Sequence, residues 1–249
     1  MKRFWILAAL CLLLMGCAKP EPAEPMLTET EPVTEAATAA PTQMPTEKPT
    51  EPIIIAPTEP ALLPEPEDAD LVRVMDYIPS VREELAYATG ENFTGQRIYD
   101  FYNAYLRYGT VKKLASVCAE LEEQGLGILI WDGFRPVSAQ AALWDICPDP
   151  KYVSHPVTGT RAHCRGNAVD LTLVDLETGE KLEMPTEFDD FSPLADRNYG
   201  DCTDAAAEHA RLLEAVMKKH GFKPYSAEWW HYTDTQSYPV AETFQPPVG

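Results

Sequence analysis

Residues 163–175 read HCRGNAVDLTLVD and contain the most regular strand pattern of the chain. After the first four residues, aliphatic side chains alternate with small or polar ones, which predicts a half-buried β-strand over 167–175. Asp170 then lies on the face of the strand away from the aliphatic residues. His163 stands at the entrance of the strand, and Gly166 allows the intervening loop to turn tightly. One polar strand face and one histidine are thus placed close together.

On either side of this strand, the periodicity of the sequence predicts five more elements and a turn. Alternating helices and hairpin-like strand pairs favour an α+β fold: a single small domain with a mainly antiparallel sheet flanked by helices. The predicted elements are a helix over 111–123, a strand over 126–132, a helix from an N-cap at Ser138 to about Trp144, a hairpin tip at 178–180, a helix over 204–220 and an aromatic strand over 225–232.

The histidines narrow the search for a metal site. His209 and His220 lie on the predicted helix 204–220 and are interpreted as ordinary helix-face and helix-end residues. His155 precedes a proline in a loop and is interpreted as a surface residue. His163 and His231 remain, the second within EWWHY at residues 228–232.

A catalytic zinc ion takes three protein ligands from histidine and carboxylate, and His163, Asp170 and His231 offer that set. Glu228, three residues before His231, offers a carboxylate as general base. However, residues three apart in a regular strand face opposite sides, so Glu228 and His231 converge only across a twist or a bulge. Spacing alone therefore leaves two interpretations open: a metal site, or a strand edge and an aromatic core segment.

The order of several motifs resembles the zinc D,D-peptidases, and more specifically the D-alanyl-D-alanine dipeptidases of the vancomycin-resistance type. HCRGNAVD and EWWH are similar to the SxHxxGxAxD and ExxH motifs of that family. The similarity runs from about residue 80 to 245 and includes YATGENFTG at 87–95, DGFRPVSAQAALWD at 132–145 and MPTEFDDF at 184–191. It implies a D,D-peptidase/hedgehog-like α+β fold with a restricted cavity, in which EWWH lies on a distorted strand.

The resemblance also implies the roles of individual residues. It makes His163, Asp170 and His231 the ligands of one Zn²⁺ ion per chain. Glu228 becomes the catalytic base and then acid, and Arg135 of DGFRP stabilises the negative charge that develops on the substrate carbonyl oxygen.

The substrate pocket shows both agreement with the family and a departure from it. Tyr87 and Asp189 match positions that help to form the pocket. The family serine two residues before the first zinc ligand is here Arg161. If Arg161 reaches inward, its guanidinium offers two donors to a substrate carboxylate. Cys164 is expected to be buried or disulfide-bonded and not a metal ligand.

The N-terminal third is predicted to export and anchor the domain. Residues 1–17 have two positive charges, an apolar core too short to span a bilayer, and Gly16 before Cys17, which indicates a lipoprotein signal with lipidation at Cys17. Residues 18–69 contain 12 of the 23 prolines and predict a disordered Pro/Glu/Thr-rich tether. The peptidase domain is then expected over 70–249, outside the cell and held to the membrane.

Charge and location restrict the partners. A formal net charge of −19 disfavours nucleic acid as a ligand. Three functions stay open: hydrolysis of the free D-Ala-D-Ala dipeptide, D,D-carboxypeptidase trimming of short cell-wall peptides, and a zinc-stabilised binding module without catalysis. Export also permits disulfides, but the pairing of the domain's four cysteines cannot be deduced from the sequence.

Overall fold

A computed structural model describes residues 65–248. Within this range the chain forms seven strands and four α-helices, together with three short 3₁₀ turns. The strands are β1 Leu71–Arg73, β2 Arg82–Glu83, β3 Tyr105–Arg107, β4 Leu126–Asp132, β5 Ala168–Asp175, β6 Phe222–Tyr225 and β7 Glu228–Asp234; the helices are α1 Tyr108–Glu122, α2 Val137–Ile146, α3 Ala162–Arg165 and α4 Asp204–Lys219.

The central sheet has five strands in the order β2-β4-β5-β7-β6. The pair β2 and β4 is parallel, and the other three pairs are antiparallel. Strands β1 and β3 form a separate antiparallel pair. Helices α1 and α4 pack against each other, α1 also against β4 and α4 against β6. The predicted α+β fold on a mainly antiparallel sheet is therefore confirmed.

Strand β5 lies at the middle of this sheet and is buried on both faces, except at Asp175. The prediction of a half-buried strand was therefore wrong about its polar face. Asp170 and Thr172 on that face are 3% and 1% exposed, because helix α3 packs against β5 and brings His163 to 3.4 Å from Asp170. A buried carboxylate needs partners to offset its lost hydration, which makes this face the place to look for a site.

Two predicted boundaries are also corrected by the structure. Helix α2 begins at Val137 with Pro136 as its N-cap, so Ser138 lies inside the first turn and is not the cap. The predicted aromatic strand over 225–232 is divided between β6 and β7, with Ser226 and Ala227 between them. The predicted turn at 178–180 is confirmed, since the Gly179 amide donates to the Asp175 carbonyl at 2.7 Å.

The first described residues contact helix α1, although the sequence analysis assigns residues up to 69 to the tether. The Tyr108 hydroxyl donates to Glu65 at 2.7 Å, and Lys112 pairs with Asp68 at 2.6 Å. The predicted signal segment, Cys17 and most of the tether lie outside the described residues. Among residues 65–248, no helix combines the length and apolar character that crossing a membrane requires.

The cysteines of the described range, Cys118, Cys147, Cys164 and Cys202, are all free thiols. Cys164 is fully buried, and burial raises the pKa of its thiol to about 11. The expectation that Cys164 is buried is confirmed, and its thiol is kept protonated near neutral pH.

Candidate active site

Three elements carry the predicted metal ligands to one place. Asp170 of β5 and His231 of β7 are directly paired residues on neighbouring antiparallel strands, so their side chains share one face of the sheet. His163 comes from α3, the single helical turn that precedes β5. Gly166 ends this turn at a φ of 73°, and a Cβ there would lie 2.5 Å from the Leu71 side chain, so the position requires glycine. The turn thereby aims His163 back over β5.

The ligand atoms of these three residues converge. His163 Nε2 lies 3.2 Å from His231 Nδ1 and 3.4 Å from Asp170 Oδ2, and His231 Nδ1 lies 2.9 Å from Asp170 Oδ1. Ligands at the corners of a zinc tetrahedron with bonds of about 2.0–2.1 Å are about 3.3 Å apart. With one ligand atom from each residue, all three atoms lie within 4.8 Å of one another, so the histidine and carboxylate donors fit a zinc ion in kind and in closeness.

Each imidazole has a hydrogen-bond partner on the side away from the cluster. His163 Nδ1 donates to the Gly133 carbonyl oxygen at 2.8 Å, which leaves the lone pair of Nε2 directed at the cluster. His231 Nε2 lies 3.1 Å from Thr233 Oγ1, so its proton has a partner there while Nδ1 faces the cluster. Second hydrogen bonds of this kind are typical of metal-ligating histidines.

The charge of Asp170 also suits a metal ligand. Burial alone would raise the pKa of this carboxyl, but His163 and His231 outweigh it and hold the pKa well below its usual range. Asp170 is therefore an anion near neutral pH, with its charge directed at the two imidazoles. A cation between these three groups would replace the protons that otherwise separate them.

Glu228 lies beside the cluster because β7 is irregular. Pro224 pairs with Tyr232, but the next residue of β6, Tyr225, pairs with Glu228, so a bulge interrupts the ladder. The bulge brings Glu228 Oε2 to 3.8 Å from His231 Nδ1. The distortion expected from the resemblance is thus present. Burial, with smaller contributions from Asp170 and Asp189, raises the pKa of Glu228 to about 7, a value suited to a group that takes and returns a proton.

Arg135 follows β4 and is 8% exposed. Its Nε and Nη2 donate to Asp132 Oδ2 at 3.0 and 2.6 Å, and its Nη1 donates to Gln140 Oε1 at 3.1 Å. The guanidinium carbon lies 5.2 Å from the centre of the Tyr87 ring. A buried cation held on three sides in this way is a preorganised donor for negative charge.

Tyr87 and Asp189, 102 residues apart in sequence, meet in the structure. The Tyr87 hydroxyl donates to Asp189 Oδ2 at 2.8 Å. Burial raises the pKa of Asp189 to about 7, against the opposing effect of the tyrosine hydrogen bond. Asp189 has a φ of 57°, a region that costs a non-glycine residue energy and is found most often at functional sites.

Two cavities border the site. One of about 550 Å³ is lined by Asp189 together with Trp131 and Phe188. The other, of about 430 Å³, is lined by Glu228 together with Tyr152 and Phe191. Both volumes are in the range of small-ligand pockets. Glu228, the predicted catalytic base, and Asp189, the predicted pocket residue, therefore each line a cavity that can hold a ligand.

The other three histidines lie in different surroundings, as predicted. His155 Nδ1 accepts from the Val157 and Thr158 amides in a loop. His220 Nε2 lies 2.6 Å from Glu120, and His209 Nδ1 lies 2.9 Å from the Glu183 carbonyl oxygen.

Arg161 adopts a left-handed conformation at a φ of 50°, and its Nη1 lies 3.3 Å from Glu242 near the C-terminus. The side chain that departs from the family pattern is thus already paired with a carboxylate of this chain. Its hypothetical contact with a substrate carboxylate would have to compete with Glu242.

Several supporting residues were missed by the sequence analysis. Asp132 accepts from Arg135, from the Tyr99 hydroxyl at 2.8 Å and from the Gly133 amide at 2.9 Å, and its side chain is fully buried. Its position three residues before Arg135, at the end of an apolar strand, was a usable signal. Thr233 offered none, because its role depends on which ring nitrogen of His231 faces the cluster.

The chain is similar in sequence to a known family and to several of its members. Residues 67–246 match the peptidase M15 family, described as D-ala-D-ala dipeptidase. D-alanyl-D-alanine dipeptidase of Escherichia coli (strain K12) is 37% identical over 176 residues, 70% of this chain and 90% of that protein. D-alanyl-D-alanine dipeptidase of Enterococcus faecium is 32% identical over 177 residues, 63% of this chain and 87% of that protein.

A similar solved structure is a Zn(II) complex of a mutant of the vancomycin-resistance D,D-pentapeptidase VanY. The similarity covers 53% of this chain and 74% of that one, at 17% identity and a TM-score of 0.36.

Proposed function

The chain belongs to the peptidase M15 family of D-ala-D-ala dipeptidases, and from this premise we propose that it hydrolyses the dipeptide D-alanyl-D-alanine with one zinc ion. The observation that carries the proposal is the convergence of His163 Nε2, His231 Nδ1 and the Asp170 carboxylate, with Glu228 beside them. The names of the relatives support the choice of substrate.

The residues that would hold the zinc ion are His163, Asp170 and His231. When bound there, zinc supplies Lewis acidity that polarises a peptide carbonyl and makes a water molecule more acidic. Glu228 takes the proton of the attacking water and then gives it to the leaving amine. A pKa of about 7 for Glu228 suits both halves of this transfer near neutral pH.

Arg135 faces the oxygen on which negative charge develops. Its fixed orientation on Asp132 and Gln140 means that no reorganisation is needed during the reaction, and such a donor is worth about 3–4 kcal/mol. Asp189, with the Tyr87 hydroxyl on one of its oxygens, holds the ammonium group of the substrate. An arriving ammonium lowers the pKa of Asp189 from about 7 and leaves it ionised.

We further propose that the protein acts outside the cell, anchored through lipid on Cys17. The charged and apolar order of residues 1–17 and the proline-rich composition of residues 18–69 support this location. It would let the domain scavenge dipeptide released from the cell wall.

The same location favours a second candidate within the same chemistry, the removal of D-alanine from cell-wall peptides by D,D-carboxypeptidase action. The cavity of about 430 Å³ beside Glu228 gives a longer peptide room near the catalytic base. A binding module without catalysis is not retained, because the chain is a peptidase of this family with both Glu228 and Arg135 in place.

The deciding experiment offers the zinc-loaded protein three substrates: D-Ala-D-Ala, a tripeptide that ends in D-Ala-D-Ala, and a full stem peptide. Products are resolved by mass spectrometry. We expect free D-alanine from the dipeptide and little from the longer peptides. Cleavage of the stem peptide with the dipeptide intact would replace the first candidate by the second.

A further inference from the structure

The bulge between β6 and β7 is needed for the site and leaves backbone groups unpaired. Between the pairs Pro224–Tyr232 and Tyr225–Glu228, residues 229–231 of β7 have no counterpart on β6. Carbonyl groups in such a segment lose their ladder partners on that side, and a buried carbonyl without a donor is costly. Something outside the two strands must therefore satisfy this backbone.

Arg197, in the loop before α4, supplies a donor to one residue of this segment and also binds the β6 end of the bulge. Its Nε donates to the Tyr225 carbonyl oxygen at 2.7 Å, and its Nη2 donates to the His231 carbonyl oxygen at 3.0 Å. Its backbone amide donates to the Ser226 carbonyl oxygen at 3.2 Å. Arg197 thus links the two sides of the bulge: it binds the backbone of β6 at Tyr225 and the backbone of β7 at His231, the predicted metal ligand.

The guanidinium of Arg197 is itself held in one orientation. Its Nη1 lies 3.1 Å from Glu214 Oε2, 3.1 Å from the Tyr199 hydroxyl and 3.0 Å from the Tyr232 hydroxyl. The side chain is 9% exposed. Both the fork of donors and its surroundings are fixed, so the spacing of the two carbonyls that it bridges is also fixed.

We propose that Arg197 is a positioning residue for catalysis: it holds the bulge so that the Glu228 carboxylate and His231 Nδ1 stay on one side of β7. Arg197 does not reach the reacting atoms, because its side-chain contacts are to backbone carbonyls, Glu214 and two tyrosines. The expected change in kcat rests on the proposed function. The expected change in the structure of the bulge, measured by hydrogen exchange, does not depend on the proposed function.

The test replaces the fork by a single ammonium in Arg197→Lys, which keeps the charge but cannot bridge both carbonyls. For this variant we expect kcat to fall about 10–100-fold, as for other residues that orient metal ligands, with KM nearly unchanged. Zinc stoichiometry should stay near one per chain. Amide hydrogen exchange, measured on zinc-free and zinc-loaded protein, should rise in residues 225–231 and stay unchanged in β4 and β5.

Lys112→Ala is the control, because Lys112 is a surface cation of α1 whose partner is Asp68 and not a residue of the bulge or of the Arg197 cluster. It should leave kcat and exchange unchanged. Glu214→Gln is a milder second variant that loosens the guanidinium from α4 and should lower kcat several-fold.

Three outcomes would overturn the proposal. The first is wild-type kcat in Arg197→Lys, and the second is a rise in hydrogen exchange spread over the whole domain. The third applies if Arg197→Lys does not fold: wild-type kcat in Glu214→Gln would then show that the guanidinium supports folding only. Failure of the wild-type protein to cleave D-Ala-D-Ala would instead refute the proposed function, while the exchange of residues 225–231 would still test Arg197.

Discussion

A buried carboxylate, Asp170, and a half-buried one, Glu228, approach the same imidazole nitrogen and differ in almost every other respect. Asp170 lies on the regular strand β5, with Oδ1 2.9 Å from His231 Nδ1, and the nearby histidines hold its pKa well below its usual range. Glu228 lies at the bulge of β7, with Oε2 3.8 Å from the same nitrogen, and burial raises its pKa to about 7.

In the proposed function, strand register gives each of these two carboxylates its role. A residue directly opposite His231 in the ladder is drawn against the imidazole and stays ionised, as a metal ligand must. A residue displaced by the bulge lies about 1 Å further away, and its burial outweighs the attraction of His231, so it keeps affinity for a proton. In the proposed mechanism, metal binding and proton transfer are thus assigned to two neighbouring strands.

The largest effect is expected from Asp170→Ala, on the regular side of the comparison. Removing one of three ligands should reduce zinc from about one per chain to near none, and activity should disappear with the metal. Metal analysis after dialysis measures the loss. His163→Ala and His231→Ala should behave alike, while His155→Ala, His209→Ala and His220→Ala should keep the metal. An unchanged zinc content in Asp170→Ala would show that the proposed metal site is wrong.

Glu228→Ala tests the bulged side and should separate chemistry from metal binding. Zinc content and melting temperature should stay near those of the wild type, whereas kcat should fall about 10²–10⁴-fold, the usual contribution of a proton-transfer group. A kcat above about a tenth of the wild-type value lies outside that range and would refute the role of Glu228 as the proton-transfer group. A stability loss with normal kcat would instead make Glu228 a structural carboxylate beside Trp229 and Trp230.

Strand β5 could be predicted from sequence, whereas the burial of its polar face and the contacts that hold the bulge of β7 could not. Helices α1 and α4 and strand β4 follow from the spacing of apolar residues, which depends on neighbours along the chain. The bulge depends on Arg197, which is more than 25 positions away from β7 in the sequence. Its hydrogen bonds to Tyr225 and His231 form only in the folded chain. The burial of the polar face of β5 was missed for the same reason, because it comes from β7 and α3.

The pH dependence of stability offers a third test, smaller than the first two. In metal-free protein the pKa of Glu228 is raised from 4.5 to about 7, so the folded state binds this proton more tightly than the unfolded chain. The resulting stabilisation is complete below about pH 4.5 and is lost as the pH rises through about 7; its upper limit is about 3 kcal/mol.

Glu228→Gln removes this titration while it keeps the shape of the side chain. Urea unfolding of both zinc-free proteins should therefore show the wild type losing stability relative to the variant between pH 4.5 and 7.5. Comparing the two at each pH cancels the titrations of Asp189 and His163, which change stability in the same range. A difference independent of pH would show that Glu228 is ionised in the metal-free protein.

The smallest effect is expected at Arg161. This residue lies two positions before His163, near the two carboxylates that are compared. If its guanidinium binds the substrate carboxylate, Arg161→Ser should raise KM with little change in kcat. The ion pair with Glu242 at 3.3 Å favours the other outcome, because a guanidinium already paired there is not free to bind substrate. We therefore expect KM and kcat within about twofold of the wild type, and a stability change below about 1 kcal/mol, as for most partly exposed ion pairs.

Glu242→Gln is the matched control: it breaks the same pair but leaves the guanidinium in place. A KM that rises in Arg161→Ser but falls in Glu242→Gln would show that Glu242 and the substrate compete for Arg161, and would add this residue to the pocket.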